Sequence, residues 1–588
     1  MEINIVKELA ETTDIHTGNT LETALRLAKR KIKAGYIDEA ELIYQEILLK
    51  FPKCIEAKEG LRKLSLPLTS DSMSQHEPPE DRVDEIKSLY LQAQPRKAFE
   101  RCEALISKYP RSATLFNLKG ALLKSLGYLD LAIEAYQLCL SIRPNYAEPY
   151  FNIGIALQKQ GKPIEAIVMY TKALSIKPNY AEAYNNMGNA YQEQGKLNEA
   201  EVAYKKALSI RPDFAEAYNN MGMTLQKQKK LEQAIEAYTK ALSIKPDSAE
   251  ACNNIANVHK EQGSLSEAIA AYTKALSIRP TYVKAIQNTS DLCVQLSNNV
   301  AFNRQIAHLL ENIDFFHSPK LHILQAIKAF MVADEDLVRE HLNSYERIDQ
   351  QIVGELKEND QVFCSAYYLY LKQLLTSLSV LETKSQLGDV VYHLGDSHCL
   401  SYANHEISID GIEHKVAPLI TFGGKAFHFA KENPNNFKAI TKANFDALSN
   451  HSKILISFGE IDCRPNEGFI TTARKTYKST SSLINDTVES YLNWFAAQNA
   501  QKNHNLQFFN IAAPVYNNSL TDKLNYEVAE TVALFNDAMA KYSHVCRFNL
   551  IDVYNFTVGN NGFSNEIYHI DGCHLGPSAI PKIASQLI

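Results

Sequence analysis

The 588-residue chain has a net charge of −6, with 45% hydrophobic and 22% charged residues. At about 100–200 residues per domain it holds roughly three to five domains. This composition excludes a collagen-like chain, a disulfide miniprotein and wholesale disorder, and gives no electrostatic reason for nucleic acid or an anionic membrane as the main partner.

No apolar run approaches the roughly 18 residues of a membrane span. The start, MEINIVKELAETTD, carries acids where a signal peptide is basic and then apolar. The ten cysteines lack any C-x-x-C spacing, so neither a zinc site nor a disulfide framework is expected. The expectation is a cytoplasmic, multidomain protein with no cofactor and no metal. A content of 30 Tyr against one Trp asks for an explanation.

Residues 1–63 read as an N-terminal helical unit, in which Ala40, Tyr44 and Pro52 hold a phase that recurs further along. Residues 64–82, LSLPLTSDSMSQHEPPEDR, are rich in Ser, Pro and charge and read as a flexible linker. From 83 to 289 the chain repeats. Pro110, Pro144, Pro178, Pro212, Pro246 and Pro280 are spaced by 34, and Ala132, Ala166, Ala200, Ala234 and Ala268 hold a second phase. Tyr136, Tyr170, Tyr204, Tyr238 and Tyr272 hold a third, which accounts for part of the tyrosine excess. Gly120, Gly154, Gly188 and Gly222 recur near the start of each unit, with Ala256 replacing the next. Ala166, Tyr170 and Ala173 fall on one helix face, and each proline closes the helix before it.

Each unit is thus two short helices, and the segment AEAYNNMGNAYQEQGKLNEAEVAYKKALSIRPD resembles the tetratricopeptide (TPR) family. The resemblance covers residues 112–289 closely and 83–111 as a weaker unit. It implies an α-solenoid and says little about chemistry. Asn152, Asn186, Asn220, Asn254 and Asn288 share one phase, which stacking turns into an amide ladder able to grip an extended peptide backbone. A similar ladder in the O-linked N-acetylglucosamine transferases holds protein substrates, so that resemblance implies a peptide-binding groove. The other reading is that these amides only bond neighbouring helices. No glycosyltransferase features follow the array. Residues 290–385 keep helical periodicity without the repeat and read as a capping and connecting segment.

From residue 386 to 588 strands alternate with helices: Val390–Leu394, Ile454–Phe458, Leu506–Ala512 and Phe548–Val553, with helical patterns near 436–450, 476–503 and 522–542. That order predicts a three-layer α/β domain with a parallel sheet, binding its ligand beyond the carboxyl ends of the strands. Three polar clusters fall there: Gly395-Asp396-Ser397-His398, Gly459-Glu460-Ile461-Asp462-Cys463-Arg464, and Tyr568-His569-Ile570-Asp571-Gly572-Cys573-His574.

These clusters resemble the blocks of the SGNH/GDSL hydrolases. The resemblance implies a flavodoxin-like arrangement of the sheet, with Ser397 as nucleophile, His574 as general base and Asp571 as its orienting carboxylate. The chemistry agrees, because a serine hydroxyl is a weak nucleophile until an imidazole takes its proton and a carboxylate fixes the tautomer. The Ser397 N–H with that of Gly423 or Gly424 would form the oxyanion hole. The second block departs from the family's Gly-x-Asn-Asp, for Ile461 stands at the asparagine position and donates nothing. Arg464 is the candidate substitute. Asp396, His398, Gly459, Glu460, Asp462 and His569 are expected in the pocket wall, with Glu460, Asp462 and Arg464 as an ion-pair cluster. Cys399, Cys463 and Cys573 read as small buried side chains.

The implied function is a serine esterase or deacylase, with O-acylated carbohydrate as one substrate class, joined to an array that binds protein or peptide. Acyl transfer to a sugar hydroxyl is a variant of the same chemistry. The rival readings are a TPR scaffold whose C-terminal domain only binds, and a two-metal phosphoesterase built on Asp396, His398, Glu460, Asp462, Asp571 and His574.

Overall fold

The computed structural model describes residues 19–33, 36–51, 54–65, 77–296, 299, 318–348, 353–354, 356–378, 389–466, 468–571 and 574–587. The chain forms two compact units, Met1–Ile244 and Lys245–Ile588. Most of the 64–82 segment, Pro52, and Gly572 and Cys573 of the third cluster lie outside the described residues.

The first unit consists of antiparallel helix pairs, among them Ala147–Lys159 with Pro163–Ile176 and Ala181–Glu193 with Leu197–Ile210. The repeated glycine and tyrosine explain the pairing. A Cβ built on Gly154 would sit 2.4 Å from the Tyr170 ring, and one on Gly188 would sit 2.6 Å from Tyr204. The missing side chain therefore makes the slot that the ring fills, and Tyr136, Tyr170, Tyr204 and Tyr238 are fully buried. Burying each such ring contributes about 1.5–3 kcal/mol. Helices end where the chain turns left-handed at Gly127, Gly161 and Gly195, and Lys229 takes that place in the next repeat at φ +64°.

The second unit begins with the helices Ala249–Gln262, Leu265–Ile278 and Val283–Gln295, followed by Pro319–Met331, Glu335–Glu346 and Glu358–Leu378. Its sheet has strands β1 (Val391–Gly395), β2 (Glu406–Ile409), β3 (Ile412–Ile420), β4 (Lys453–Ser457), β5 (Asn505–Phe509) and β6 (Asn549–Ile551), in the order β2-β3-β1-β4-β5-β6. β3, β1, β4, β5 and β6 run parallel, and β2 pairs antiparallel with β3. The sheet is therefore mixed, which corrects the all-parallel expectation.

The cause is a hairpin. Asp410 and Gly411, at φ +53° and +77°, join Ile409 to Ile412 in a two-residue turn. Asp-Gly between alternating apolar residues is a strong hairpin signal.

Both faces of the sheet are covered, so its central strands are largely buried, the polar His393 and Gln507 included. Ile454, Ile456 and Phe508 pack with Val488, Phe495 and Phe535 on one face. Leu455, Phe509 and Val391 pack with Tyr402 and Ile583 on the other. The connecting helices also pack onto the α/β region: Phe330, Leu371 and Leu374 join Cys399, Leu400 and Ile420 in one core. The chain leaves β1 towards β3 on one side and returns to β4 on the other. The sheet's direction of progress thus reverses beyond Gly395, where α/β folds place their ligands.

Candidate active site

Ser397 follows β1 directly. Gly395 permits β4 to approach there, since a Cβ on it would lie 2.5 Å from Ser457 Oγ. Ser397–Leu400 form one tight helical turn capped by Asp396, whose carboxylate accepts from the His398 N–H at 3.0 Å. His574 stands on a small hairpin in which the Ile570 N–H donates to the His574 carbonyl and the Gly576 N–H to that of Tyr568.

These two elements bring the side chains together. Ser397 Oγ is 2.8 Å from His574 Nε2, and His574 Nδ1 is 2.7 Å from Asp571 Oδ2. Asp571 Oδ1 also accepts from the His574 backbone N–H at 2.6 Å. With Asp571 accepting at Nδ1, the neutral imidazole offers Nε2 as acceptor to the serine hydroxyl.

Tyr370, from the helix Glu358–Leu378, has no motif to announce it. Its ring stacks on His574 at 4.2 Å, and its hydroxyl bonds Ser401 Oγ at 2.6 Å and the Ser397 carbonyl at 3.3 Å. An aromatic at helical spacing reads as core, so no sequence signal places it here.

A second carboxylate–imidazole pair lies alongside, with Asp396 Oδ1 2.7 Å from His398 Nδ1. Burial works to raise Asp396, but His398 and its hydrogen bonds outweigh this and hold the carboxyl below its usual range. The His398 ring is 4.6 Å from that of His574. His569 bonds Ser564 Oγ at 2.9 Å, and burial pushes it down to about 4, which keeps it neutral near pH 7.

The two candidate oxyanion glycines differ. In the turn after β3, the Thr421 N–H donates to the Gly395 carbonyl, the Phe422 N–H to Gln295 Oε1 and the Gly424 N–H to the Thr421 carbonyl. The Gly423 N–H has no protein acceptor among the described residues. Gly423, at φ +65°, lines the same cavity as Ser397 and His574, while Gly424 is packed against Phe458.

In the second cluster Arg464 grips Glu460 through Nε at 3.1 and 3.0 Å and through a terminal nitrogen at 2.7 Å. Both line the cavity, as does Ile461. Asp462 stands outside the expected ion-pair cluster. It is buried, accepts from the Ala426 N–H at 2.7 Å, and burial raises it to about 7. Its carboxyl thus ties the loop after β4 to the start of the helix Ala426–Ala430, which follows the turn that carries Gly423. Gly459 has φ +127° and is packed against Phe535, so it shapes the loop from behind. Cys399 and Cys463 are buried, and burial raises both thiols.

The cavity holds about 950 Å³. Ser397, His574, Glu460 and Arg464 occupy its polar part, and Phe363, Leu369, Ile511 and Val532 are among its apolar walls. The carboxylates and histidines of the two-metal reading are each held by another partner: Asp396 by His398, Glu460 by Arg464, Asp462 by Ala426 and Asp571 by His574.

The repeat-phase asparagines divide. Asn220 Nδ2 donates to Asn185 at 3.1 Å, Asn288 to Asn253 at 3.0 Å, and Asn152 to Asn117 at 3.5 Å, so in these three repeats the amide bonds an asparagine of the preceding repeat. Asn186 and Asn220 also line a shallower cavity of about 470 Å³ with Gln158, Gln192 and Glu193.

Comparison with known proteins accounts for the array. Residues 181–214, 215–248 and 249–282 match the tetratricopeptide repeat family, and residues 120–161 and 164–195 match the TPR repeat family. A tetratricopeptide-repeat solenoid therefore precedes the mixed α/β sheet. Three solved structures are similar over this part. The crystal structure of MamA is 30% identical and covers 28% of this chain and 96% of its own (TM-score 0.27). YrrB, described as a TPR protein with an unusual peptide-binding site, is 21% identical over 31% of this chain and 95% of its own (TM-score 0.28). The first TPR of Spaghetti (RPAP3), bound to an HSP90 peptide, is 29% identical over 19% of this chain and 90% of its own (TM-score 0.19). No curated protein matches the chain. No described helix is long and apolar enough to cross a membrane.

Proposed function

We propose that residues 386–588 form an SGNH/GDSL-like serine hydrolase acting on acyl esters, and that the TPR array binds the protein that brings or carries the substrate. The observation that carries the reading is the Ser397–His574–Asp571 line of hydrogen bonds at 2.8 and 2.7 Å.

Ser397 Oγ attacks the ester carbonyl as its proton passes to His574 Nε2, and Asp571 stabilises the imidazolium. The oxyanion is met by the Gly423 and Ser397 N–H groups. Collapse breaks the ester C–O bond, and His574 returns the proton to the leaving alkoxide. Water, or a sugar hydroxyl in a transferase, then attacks the acyl-enzyme with His574 again as base. Ile461 leaves the site without a side-chain oxyanion donor, and losing one such donor costs about 10²–10³ in rate. The proposed enzyme is accordingly slow, with Arg464, held by Glu460, as the nearby cation.

The apolar walls beside Ser397 suit an acyl group longer than acetyl, while Glu460 and Arg464 suit a polar alcohol portion such as a carbohydrate. In the array, Asn186 and Asn220 beside the smaller cavity are the residues proposed to meet an extended peptide backbone; Asn152, Asn254 and Asn288 hold the same phase in their own repeats. The test is turnover of p-nitrophenyl esters by the full chain and by Ser397→Ala and His574→Ala. Turnover lost in both variants supports the reading, and turnover unchanged in either removes it.

Ile461 favours a second reading, a TPR scaffold whose α/β region binds acyl ligands without cleaving them. Saturable binding of an ester with no turnover by the wild type would select it.

A further inference from the structure

We propose that Gln295, at the end of the helix Val283–Gln295, is a positioning residue for the oxyanion turn, so that the helix following the last repeat forms part of the hydrolytic apparatus. This rests on the hydrolase reading above.

Gln295 is a long polar side chain only 4% exposed. Such a group is costly to bury unless its donors and acceptors are matched. Its Oε1 accepts from the Phe422 N–H at 3.1 Å, its Nε2 donates to Asp291 at 3.2 Å, and its carbonyl accepts from Asn444 Nδ2 at 2.7 Å. Asp291 is in turn paired with Lys260 on the helix Ala249–Gln262. The amide is therefore fixed at both ends, which sets the direction of its oxygen.

Phe422 immediately precedes Gly423. Thr421 and Gly424 are tied within the sheet and the turn, so among the described residues Gln295 supplies the one side-chain hydrogen bond to a backbone N–H between Thr421 and Gly424. A turn whose other three amides are occupied presents the Gly423 N–H in one orientation. An oxyanion donor acts through that preorganisation, and a misplacement of about 1 Å can cost about 100-fold. Gln295 lines no part of the cavity and touches no reacting atom; its effect runs through Phe422 and Gly423.

The experiment uses the full chain with Gln295→Met, which keeps length and loses the acceptor, and Gln295→Glu, which keeps an oxygen acceptor and can share a proton with Asp291. Ester turnover and the rate of fluorophosphonate labelling are measured for each. The expected result is a fall in kcat of about 10–100-fold in Gln295→Met with KM within about twofold, and recovery to within about threefold of wild type in Gln295→Glu. Should Gln295→Met not fold, Gln295→Asn, which retains the amide but not its reach, takes its place with the same expected loss. Wild-type kcat in the shortened or acceptor-free variant overturns the inference, as does a loss carried by KM or one that Gln295→Glu does not restore. A wild type that neither labels nor turns over removes the hydrolase reading itself. A wild type that labels, beside a variant that labels equally fast, removes only the role of Gln295.

Discussion

Ser397 and His574 are 177 residues apart, yet Oγ and Nε2 meet at 2.8 Å. Each is held by its own short element, one turn after β1 and one hairpin near the C-terminus. The contact therefore depends on the sheet that carries the first and on the Asp571 carboxylate that braces the second.

Asp571 bonds both the ring and the backbone of His574, so removing its charge disturbs the tautomer as well as the imidazolium. Asp571→Asn is expected to lower kcat by about 10⁴, by analogy with other serine triads. Steady-state ester hydrolysis checks this, and a loss below about tenfold would reduce the site to a Ser–His dyad.

The apolar walls around Phe363, Leu369, Ile511 and Val532 bear on the substrate. Each buried methylene contributes about 0.8 kcal/mol, or about fourfold in kcat/KM. From acetyl to hexanoyl p-nitrophenyl esters kcat/KM is expected to rise steeply, and Leu369→Ser is expected to flatten the rise. A series that falls with chain length would instead favour O-acetylated substrates.

Asp462 gives a pH dependence of stability. Burial raises its carboxyl to about 7 in the folded protein against an ordinary value of 3.8. Between about pH 4 and 7 the unfolded chain has lost this proton while the folded one keeps it, so stability falls as pH rises through that window. The loss amounts to about 1.4 kcal/mol per pH unit, and is complete above it. Asp462→Asn cannot ionise. Its thermal midpoint, taken relative to wild type, is expected to increase from pH 4 to pH 7 and then level off.

Within the array, Lys229 occupies the left-handed position that Gly127, Gly161 and Gly195 hold in other repeats. A left-handed conformation costs a non-glycine residue roughly 1–2 kcal/mol, part of which glycine's greater unfolded-state freedom offsets. Lys229→Gly is expected to stabilise the protein by about 0.5–1 kcal/mol in urea-induced unfolding. A loss of stability would show that the contacts of the lysine side chain outweigh the backbone strain.

The array was legible because one solution is repeated: the spacing of Pro, Gly and Tyr is the packing itself. The β2–β3 hairpin was missed: Asp410-Gly411 signals its turn and burial alternates along β2 and β3, but the continuous apolar runs of β4 and β5 are what stood out as strands. The serine, aspartate and histidine stood out through their motifs, whereas Tyr370 and Gln295 come from helices with no chemical signature. Only the folding of those helices against β1 and β3 gives them a place near the site. The asparagines show a further limit. A common phase marks Asn152, Asn220 and Asn288 as a row, but it does not reveal that Asn117, Asn185 and Asn253 accept from them.

The activation of Ser397 by His574 is tested most directly by mass-spectrometric mapping after reaction of the intact chain with a fluorophosphonate. A single adduct on Ser397 is expected, absent in His574→Ala and lost when Ser397 is replaced. An adduct on another residue, or one on Ser397 that forms equally fast without His574, would contradict it.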